Sequence, residues 1–377
     1  MDISKIRPLI ASYMEQYKVS GAEVILQVNG ENYVYSFGYM NSNKKTPITP
    51  QTIFELGSVT KTFIGLLLSE QILSGNLKLN DSLAKYVSDS DSIAIKKITL
   101  LELATHTSGL PFGVPGLPYN ASQSPEYNAV YTHFLRTWTS EHTPGSGFMY
   151  SNIGFSILAD ALTMSTNLSL SESMQMGIFQ PLNMRSSMLT VTKNWSKLYA
   201  QDYTSNNTPE RTPETGLLGG SWAMKSSGQD MTHYLDVAIG NFKSQPSVVA
   251  AMKIAQTGYF KCISNGIELG LGWIITPLDK STVYETLIHA PAHFNLGAFK
   301  PVYKIKSPTY NGSSLIDKIG ATDGFRTYIG VIPSMKLGIV ILTNKYTDNT
   351  GELQNIGRKI LFSFMDNAQS GIKPKNL

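Results

Sequence analysis

The alternation of apolar and polar positions predicts a helix and then a hairpin at the start of the chain. Apolar residues recur at helical spacing over residues 3–17: Ile3, Ile6, Leu9, Ile10 and Tyr13. Two β-rich runs follow, Val24–Val28 and Tyr33–Phe37, with Asn29-Gly30 between them. Because both central positions of a tight hairpin turn need a positive φ, Asn-Gly between such runs is a strong hairpin signal.

The far end of the chain has the same elements in the reverse order. Tyr328–Ile332 and Leu337–Leu342 flank Pro333–Lys336, which predicts a second antiparallel hairpin. A helix over roughly 350–367 should follow, since one face carries Leu353, Ile356, Ile360, Leu361 and Phe364. We therefore predict an α/β (α+β) fold with one antiparallel sheet, built from both chain ends and covered by helices.

The middle of the chain has a different character. Helical patterns occur at residues 63–72, 100–104 and 153–163, whereas residues 105–148 are rich in Gly, Pro, Ser, Thr and Tyr and read as long loops. We interpret this region as a mostly helical lobe that is inserted into the sheet lobe. The predicted bounds are 1–75 with 225–377 for the sheet lobe and 76–224 for the helical lobe, with an active site between them.

Composition excludes several classes of protein. Of the 377 residues, 42% are hydrophobic, which supplies a sizeable core and excludes a mainly disordered chain. The net charge of +4 comes from scattered residues and short pairs such as Lys44-Lys45, so nucleic acid is a poor candidate partner. No apolar run approaches the roughly 20 residues of a membrane span. A small-molecule substrate and a monomer are expected.

Metal and disulfide chemistry also have little support. The one cysteine, Cys262, excludes an intramolecular disulfide and reads as a small buried hydrophobe. The six histidines form no HExxH motif, and Pro291 between His289 and His293 argues against a helical ligand pair. We expect no metal and no organic cofactor, and the search for chemistry turns to nucleophiles.

The first candidate motif is Ser58-Val59-Thr60-Lys61. It is one of four Ser-x-x-Lys sequences; the others start at Ser42, Ser82 and Ser370. Only Ser58 opens a long apolar helical run, where its hydroxyl would lie at the positive end of the helix dipole. Lys61 lies one turn on along the same face, and a partly desolvated lysine there can take the serine proton. The alternative is a helix-capping serine beside a solvated lysine.

The second candidate motif is Tyr150-Ser151-Asn152, in a loop that leads into a predicted helix. A tyrosine whose pKa is lowered by nearby lysines can act as a general base and later as a general acid. Asn152 could hydrogen-bond a substrate amide. The alternative is an aromatic anchor followed by an asparagine that caps the helix.

The third candidate motif is Lys318-Ile319-Gly320-Ala321-Thr322, before the Tyr328 strand. On an edge strand, Lys318 could attract a substrate carboxylate and keep the Tyr150 phenol acidic. Gly320 would let a substrate approach the backbone, and the Ala321 N–H could join the Ser58 N–H in an oxyanion hole. Lys336-Leu337-Gly338 has the same spacing but lies inside a hairpin, so we interpret it as structural.

These motifs, in this order, resemble the serine β-lactamase and penicillin-binding protein superfamily. The tyrosine in the middle motif is similar to the class C (AmpC-type) branch and its esterase and DD-peptidase relatives. Further segments carry the resemblance along nearly the whole chain: Phe54–Phe63, Leu103–Pro111, Gly270–Trp273, Gly320–Phe325 and Leu342–Lys345.

The resemblance implies hydrolysis of a β-lactam amide through an acyl-enzyme on Ser58. It implies that Lys61 and Tyr150 share the proton transfers, that Asn152 and Lys318 position the substrate and the tyrosine, and that Trp222 forms an aromatic pocket wall. It also implies a periplasmic or secreted protein that confers antibiotic resistance. Because Met1–Arg7 lacks the apolar core of a signal peptide, we expect the chain to be a trimmed, mature form rather than a cytosolic protein.

Three departures from the pattern concern substrate recognition. Ile319 replaces the usual threonine and removes a hydrogen bond to the substrate carboxylate worth about 1.5–3 kcal/mol. That loss would cost roughly 10–100-fold in rate unless Thr322 or a water substitutes. Gly113 falls where the family often has a glutamine, and residues 346–350 align poorly with its carboxylate-binding region.

Two alternatives therefore stay open beside the β-lactamase. The first is an esterase or DD-peptidase of the same fold, which the missing hydroxyl at Ile319 motivates because an ester substrate needs no carboxylate anchor. A penicillin-binding sensor would acylate and then deacylate slowly.

Overall fold

The computed structural model describes residues 3–88, 91–118, 121, 124–211, 217–242, 245–278, 282–289 and 298–365. Its α-helices are α1 (Arg7–Tyr17), α2 (Thr60–Leu73), α3 (Ile93–Lys96), α4 (Leu100–Ala104), α5 (Pro125–Thr137), α6 (Asn152–Thr166), α7 (Leu170–Met174), α8 (Gly219–Trp222), α9 (Gly228–Ala238), α10 (Pro246–Ala255), α11 (Thr282–Ile288) and α12 (Thr350–Phe362). Short 3-10 segments occur at Ile3–Lys5, Gly57–Val59, Leu83–Lys85 and Pro333–Met335, and a π-helical turn at Gln175–Phe179.

The strands are β1 (Gly21–Val28), β2 (Glu31–Asn41), β3 (Thr46–Pro47), β4 (Ile53–Glu55), β5 (Gly147–Phe148), β6 (Asp202–Tyr203), β7 (Pro209–Glu210), β8 (Lys225–Ser227), β9 (Phe260–Cys262), β10 (Glu268–Leu269), β11 (Ile274–Thr276), β12 (Lys300–Lys304), β13 (Leu315–Ala321), β14 (Arg326–Ile332) and β15 (Leu337–Thr343). In the described part of the chain they form an eleven-stranded sheet in the order β3-β2-β1-β15-β14-β13-β11-β10-β9-β12-β5. Two small ribbons, β4-β8 and β6-β7, accompany it.

Both predicted hairpins are confirmed, and so is the sheet built from both chain ends. Asn29 and Gly30 have φ values of 54° and 85°, as the turn between β1 and β2 requires. Strand β1 then pairs with β15 antiparallel, so that Ala22 lies opposite Thr343. The first and last strands are therefore neighbours in the interior of the sheet.

Helices cover both faces of this central sheet. On one face, Ile10 of α1 and Ile360 of α12 belong to an apolar cluster with Val24 and Ile341 of the sheet. On the other face, alternate strand residues such as Ile25 join a larger cluster with helices that include α2, α6 and α9. Because both faces are covered, all eight residues of β1 are buried.

The structure corrects the prediction that residues 105–148 are all loop, because α5 lies within them. The helix begins where Ser124 caps it: the Ser124 hydroxyl accepts the Tyr127 N–H at 3.2 Å, and Pro125 occupies the first turn. The last predicted helix is observed as α12. Residues 366–367 of that prediction, together with His293 and Ser370, lie outside the described residues. No helix in the described ranges is long and apolar enough to cross a membrane.

Candidate active site

Ser58 lies in the 3-10 segment Gly57–Val59, between β4 and the first turn of α2. Its side chain is partly exposed, whereas Lys61, one turn on, is fully buried. Gly57 has a φ of 50°, a left-handed conformation in which a side chain is strained. The sequence therefore places a serine at the start of a helix, on a tight turn that glycine permits.

The amino group of Lys61 has three hydrogen-bond partners. Its Nζ lies 3.1 Å from Ser58 Oγ, 2.8 Å from Asn152 Oδ1 and 2.8 Å from the backbone oxygen of Ser221. The last two are oxygens that can only accept, so each takes one N–H. When the amine is neutral, its two N–H groups are thereby occupied, and its lone pair is left for the Ser58 hydroxyl.

Burial favours that neutral amine. Desolvation, followed by the charge of Lys318, lowers the pKa of Lys61 well below its ordinary value. Burial likewise lowers the pKa of Lys318 to about 7, and the neighbouring Asp317 opposes this shift. The ammonium groups of these two buried lysines therefore lose their protons more easily than those of lysines in water.

Tyr150 completes the group of polar side chains around the serine. The Nζ atoms of Lys61 and Lys318 each lie 4.9 Å from the centre of the Tyr150 ring, and the phenol is hydrogen-bonded to Ser58. Helix α6 begins immediately afterwards, since the Ser151 hydroxyl accepts the Gly154 N–H at 2.9 Å. The predicted Ser58, Lys61, Tyr150, Asn152 and Lys318 are thus brought together.

One expectation about Tyr150 is wrong. The sequence led us to expect that the lysines hold the pKa of its phenol down. Burial instead raises this pKa above the ordinary tyrosine value, and the hydrogen bond to Ser58 only partly offsets it. Tyr150 is therefore a neutral phenol in the resting site, and the neutral amine of Lys61 is the stronger base.

The backbone of β13 lies directly against the nucleophile. A side-chain carbon at Gly320 would lie 2.0 Å from the Leu56 oxygen, and one at Gly57 would lie 2.4 Å from the Ala321 nitrogen. Real side-chain carbons do not approach so closely, so glycine at both positions permits the contact. The Ser58 and Ala321 N–H groups consequently come from two segments that touch, as an oxyanion hole requires.

The prediction that Lys318 lies on an edge strand is wrong, because β13 lies between β14 and β11. Strand β11 pairs only with Leu315–Asp317, while β14 pairs along Ile316–Ala321. The half of β13 from Lys318 onward therefore passes beyond β11 and faces the Gly57–Val59 segment. Only this half of β13 lacks a paired strand on the side of β11, as the prediction required.

A buried ion pair anchors β13 next to the motif. Asp317 Oδ2 accepts hydrogen bonds from Arg358 Nε at 2.9 Å and Arg358 Nη2 at 2.7 Å, and both residues are at most 1% exposed. The Tyr328 hydroxyl donates to the same oxygen at 3.1 Å. Helix α12 thereby holds the strand position that precedes Lys318.

The remaining residues that were predicted to contact the substrate differ in burial and in their contacts. Ile319 is half-buried and packs on the apolar cluster of the terminal helices. Thr322 is 2% exposed, and its hydroxyl has no partner among the described residues. Gly113 faces open space, with no atom within 4 Å of where a side chain would begin. Trp222 is buried at the end of α8, next to the Ser221 carbonyl that binds Lys61.

Sequence reasoning gave no role to two residues that contact the site. The Ser221 carbonyl, described above, fixes one N–H of Lys61. The other is His106, whose ring stacks on Tyr150 at a centroid distance of 4.3 Å. The sequence Thr105-His106-Thr107 carried part of the family resemblance, but nothing in its spacing indicates a contact with Tyr150.

The geometry of the site defines a class of protein. A serine hydroxyl, a buried amine base, a neutral phenol and two apposed backbone N–H groups are what acyl transfer through a serine ester requires. Within the described part of the chain, no group of three or more His, Cys, Asp or Glu side chains is placed to hold a metal. The site is that of a serine acyl-transfer enzyme.

Comparison with known proteins gives the family. The chain belongs to the Beta-lactamase family, whose model matches residues 6–361. A β-lactamase of Escherichia coli (strain K12) is 32% identical over 91% of this chain and 88% of that protein. A β-lactamase of Pseudomonas fluorescens is 28% identical over 92% of this chain and 93% of that protein.

Solved structures agree with this assignment. A class C β-lactamase in complex with cefoxitin superimposes with a TM-score of 0.85 at 28% identity, covering 95% of this chain and 98% of that one. A D-alanine carboxypeptidase from Burkholderia cenocepacia gives the same TM-score at 26% identity, with the same coverage. The mixed fold with a large antiparallel sheet is that of the class C enzymes.

Proposed function

We propose that the protein is a class C-like serine β-lactamase, which hydrolyses the β-lactam amide through an acyl-enzyme on Ser58. The observation that carries the proposal is the placement of Lys61: two of its N–H groups are occupied, and the third position of its nitrogen faces Ser58 Oγ at 3.1 Å. A neutral amine there accepts the serine proton as the nucleophile forms.

Acylation follows from these positions. Ser58 Oγ attacks the lactam carbonyl carbon while its proton passes to Lys61 Nζ, and the carbonyl oxygen becomes an anion that the Ser58 and Ala321 N–H groups stabilise. The carbon–nitrogen bond then breaks, and its electron pair leaves with the nitrogen. The neutral phenol of Tyr150 donates a proton to that nitrogen, and the proton that Lys61 took from Ser58 is then transferred to the phenolate oxygen.

Deacylation reverses the proton movements with water as nucleophile. A water molecule attacks the ester carbon, its proton passes to the Tyr150–Lys61 pair, and Ser58 Oγ leaves with a proton returned to it. The products are free enzyme and the ring-opened acid, so no redox partner or cofactor is consumed. Tyr150 is suited to this exchange because its phenol contacts Ser58 and lies near both lysine nitrogens.

Recognition of a substrate carboxylate depends on Lys318. Below a pH of about 7 its ammonium group is charged and attracts an anion. Ile319 offers no hydroxyl to assist, so we expect an intact acylating site with a weak preference for carboxylate-bearing β-lactams.

The experiment is nitrocefin hydrolysis by the purified protein and by Ser58→Ala and Ser58→Gly. Hydrolysis by the parent that disappears in both variants supports the proposal. Unchanged turnover in either variant would remove Ser58 from the mechanism. Intact-mass spectrometry should show an adduct that forms and decays, whereas a stable adduct would identify the slowly deacylating sensor.

The second candidate is a D-alanine carboxypeptidase or an esterase. The D-alanine carboxypeptidase among the similar solved structures favours the first of these, and the missing hydroxyl at Ile319 favours the second, because an ester needs no carboxylate anchor. A panel of cephalosporins, D-Ala-D-Ala peptides and p-nitrophenyl esters separates the candidates. The peptide or ester must have the higher kcat/KM for this second candidate to replace the first.

A further inference from the structure

His106 lies in the segment between α4 and α5, in an unusual backbone conformation. Its φ is 58°, a left-handed value that is uncommon for any residue with a side chain, and the residue is 3% exposed. This conformation costs free energy, and such strained conformations persist only where the surrounding structure imposes them. The imidazole it orients faces Tyr150.

Two contacts join this imidazole to the Tyr150 segment. The rings of His106 and Tyr150 stack with centroids 4.3 Å apart and an interplanar angle of 28°. The Ser151 N–H donates to His106 Nδ1 at 3.1 Å. One imidazole therefore fixes both the phenol ring and the backbone that carries it.

Residues further along the segment that carries His106 bind the two residues that follow Tyr150. The Ser151 hydroxyl donates to the Pro111 oxygen at 2.6 Å, and the Asn152 N–H donates to the Phe112 oxygen at 2.8 Å. These bonds secure the backbone from Ser151 to Asn152, whereas the Tyr150 ring itself is held by its hydrogen bond to Ser58 and by its stacking contacts. His106 makes the nearer of these contacts, since the Phe112 ring lies 6.2 Å away.

The groups around His106 require a neutral imidazole. Burial lowers the pKa of His106 well below the ordinary value, and any positive charge on Lys318 of β13 or Lys61 of α2 lowers it further. The rings of Phe148 on β5 and Phe155 on α6 complete its surroundings. Since Nδ1 accepts a hydrogen bond, the proton lies on Nε2, which has no partner among the described residues. A second proton would place two N–H groups face to face at Ser151.

We propose that His106 is a positioning residue for the acyl-transfer reaction: its neutral imidazole holds the Tyr150 phenol at Ser58 through ring stacking and through the Ser151 amide. The inference rests on the proposed function, because Tyr150 is the proton donor in that mechanism. His106 itself transfers no proton and does not touch the substrate.

The test compares His106→Asn with a matched control. Asparagine tolerates the left-handed backbone and keeps an acceptor for the Ser151 N–H, but it has no ring. His142→Asn removes an equivalent stack away from Tyr150, since the His142 ring lies on Phe299 at 4.1 Å and 25°. The acylation rate constant per folded molecule should fall roughly 10–100-fold in His106→Asn. It should stay unchanged in His142→Asn.

A structural role alone would lower the Tm of His106→Asn without changing the rate of the folded fraction, and that result overturns the proposal. If His106→Asn does not fold, His106→Phe keeps a ring and loses the acceptor. A wild-type acylation rate in His106→Phe would equally overturn the role of the Ser151 contact.

A measurement on the unmutated protein separates this inference from the proposed function. Side-chain ¹⁵N NMR at neutral pH should show His106 as the neutral tautomer with its proton on Nε2. An imidazolium, or a proton on Nδ1, at that pH overturns the inference. If the parent protein is acylated by no β-lactam or ester, the proposed function fails, while the NMR result still decides the state of His106.

Discussion

Gly57 and Ala321 are in backbone contact: a side-chain carbon at Gly57 would lie 2.4 Å from the Ala321 nitrogen and 2.5 Å from its oxygen. The contact sets the spacing between the two segments whose N–H groups would stabilise an anionic transition state. It joins residues that are far apart in sequence, so the catalytic geometry depends on the absence of one methyl group.

Gly57→Ala should therefore lose activity, while the yield of folded protein changes little. The added carbon must displace β13 from Ser58, and the φ of 50° is strained for alanine. Removing one oxyanion-hole donor costs about 100–1000-fold in kcat, and a loss of this order is expected. The matched control is Gly113→Ala, where no atom lies within 4 Å. Equal kcat/KM in the two variants would contradict the argument.

Ile319→Thr should improve turnover of β-lactams that carry a carboxylate. The new hydroxyl restores a hydrogen bond to a charged group, and about 10-fold or more in kcat/KM is expected. Ile319→Val is the control, because valine matches the shape of threonine without the hydroxyl. Neutral p-nitrophenyl esters should respond to neither change. If valine gives the same gain as threonine, packing rather than hydrogen bonding explains the effect.

The KM for carboxylate-bearing substrates should rise with pH. Burial lowers the pKa of Lys318 to about 7, so the ammonium group that attracts the carboxylate is lost as the pH increases through that value. Lys318→Arg stays charged and should give a KM that does not vary between about pH 6 and 9. Steady-state kinetics over this range provide the measurement. A wild-type KM independent of pH would show that Lys318 does not bind the carboxylate.

Asp317→Asn should destabilise the protein by about 3–5 kcal/mol, because it leaves the guanidinium of Arg358 buried and without its counter-charge. Chemical denaturation gives the free energy of unfolding. The double variant Asp317→Leu with Arg358→Leu removes both charges and should recover most of the loss. A single variant as stable as the parent would mean that the pair is solvated.

Glu23 should make stability fall as the pH rises. This carboxyl is fully buried in β1, and burial raises its pKa from 4.5 to about 8. Between these values the folded state holds a proton that the unfolded state has released, so stability is greatest at low pH and decreases upward. The slope is at most about 1.4 kcal/mol per pH unit.

Glu23→Gln should remove that slope, as followed by urea unfolding at pH 5, 6.5 and 8. Glu15→Gln, at an exposed position of α1, is the control and should leave the slope in place. Parallel pH curves for the parent and Glu23→Gln would show that Glu23 is ionised in the folded protein.

The fold was predictable where the sequence determines it locally. The turn Asn29-Gly30 requires positive φ in any context, and the paired apolar runs at each chain end fix a sheet. Helix α5 was missed because its interior carries many polar and tyrosine residues. The Ser124-Pro125 start signal was present and outweighed by the loop-like composition around it.

The residues of the site were predictable from the sequence, but their protonation states were not. The spacing of Ser58 and Lys61 follows from one helical turn, so the sequence was sufficient for that pair. The pKa of Tyr150 depends on burial, which is a property of the folded chain, and the prediction had the wrong direction. The contact of His106 with Tyr150 is likewise tertiary, with no periodicity to indicate it.

The pairing of β1 with β15 has a consequence for synthesis on the ribosome. Ser58 is made early, but the strand that carries Ala321 is locked in place only after β15 has been translated and has inserted between β1 and β14. A growing chain thus contains the nucleophile long before it contains an oxyanion hole. Nascent chains stalled before Leu337 should resist labelling by a fluorescent penicillin, and reactivity should arise once β15 has left the ribosome.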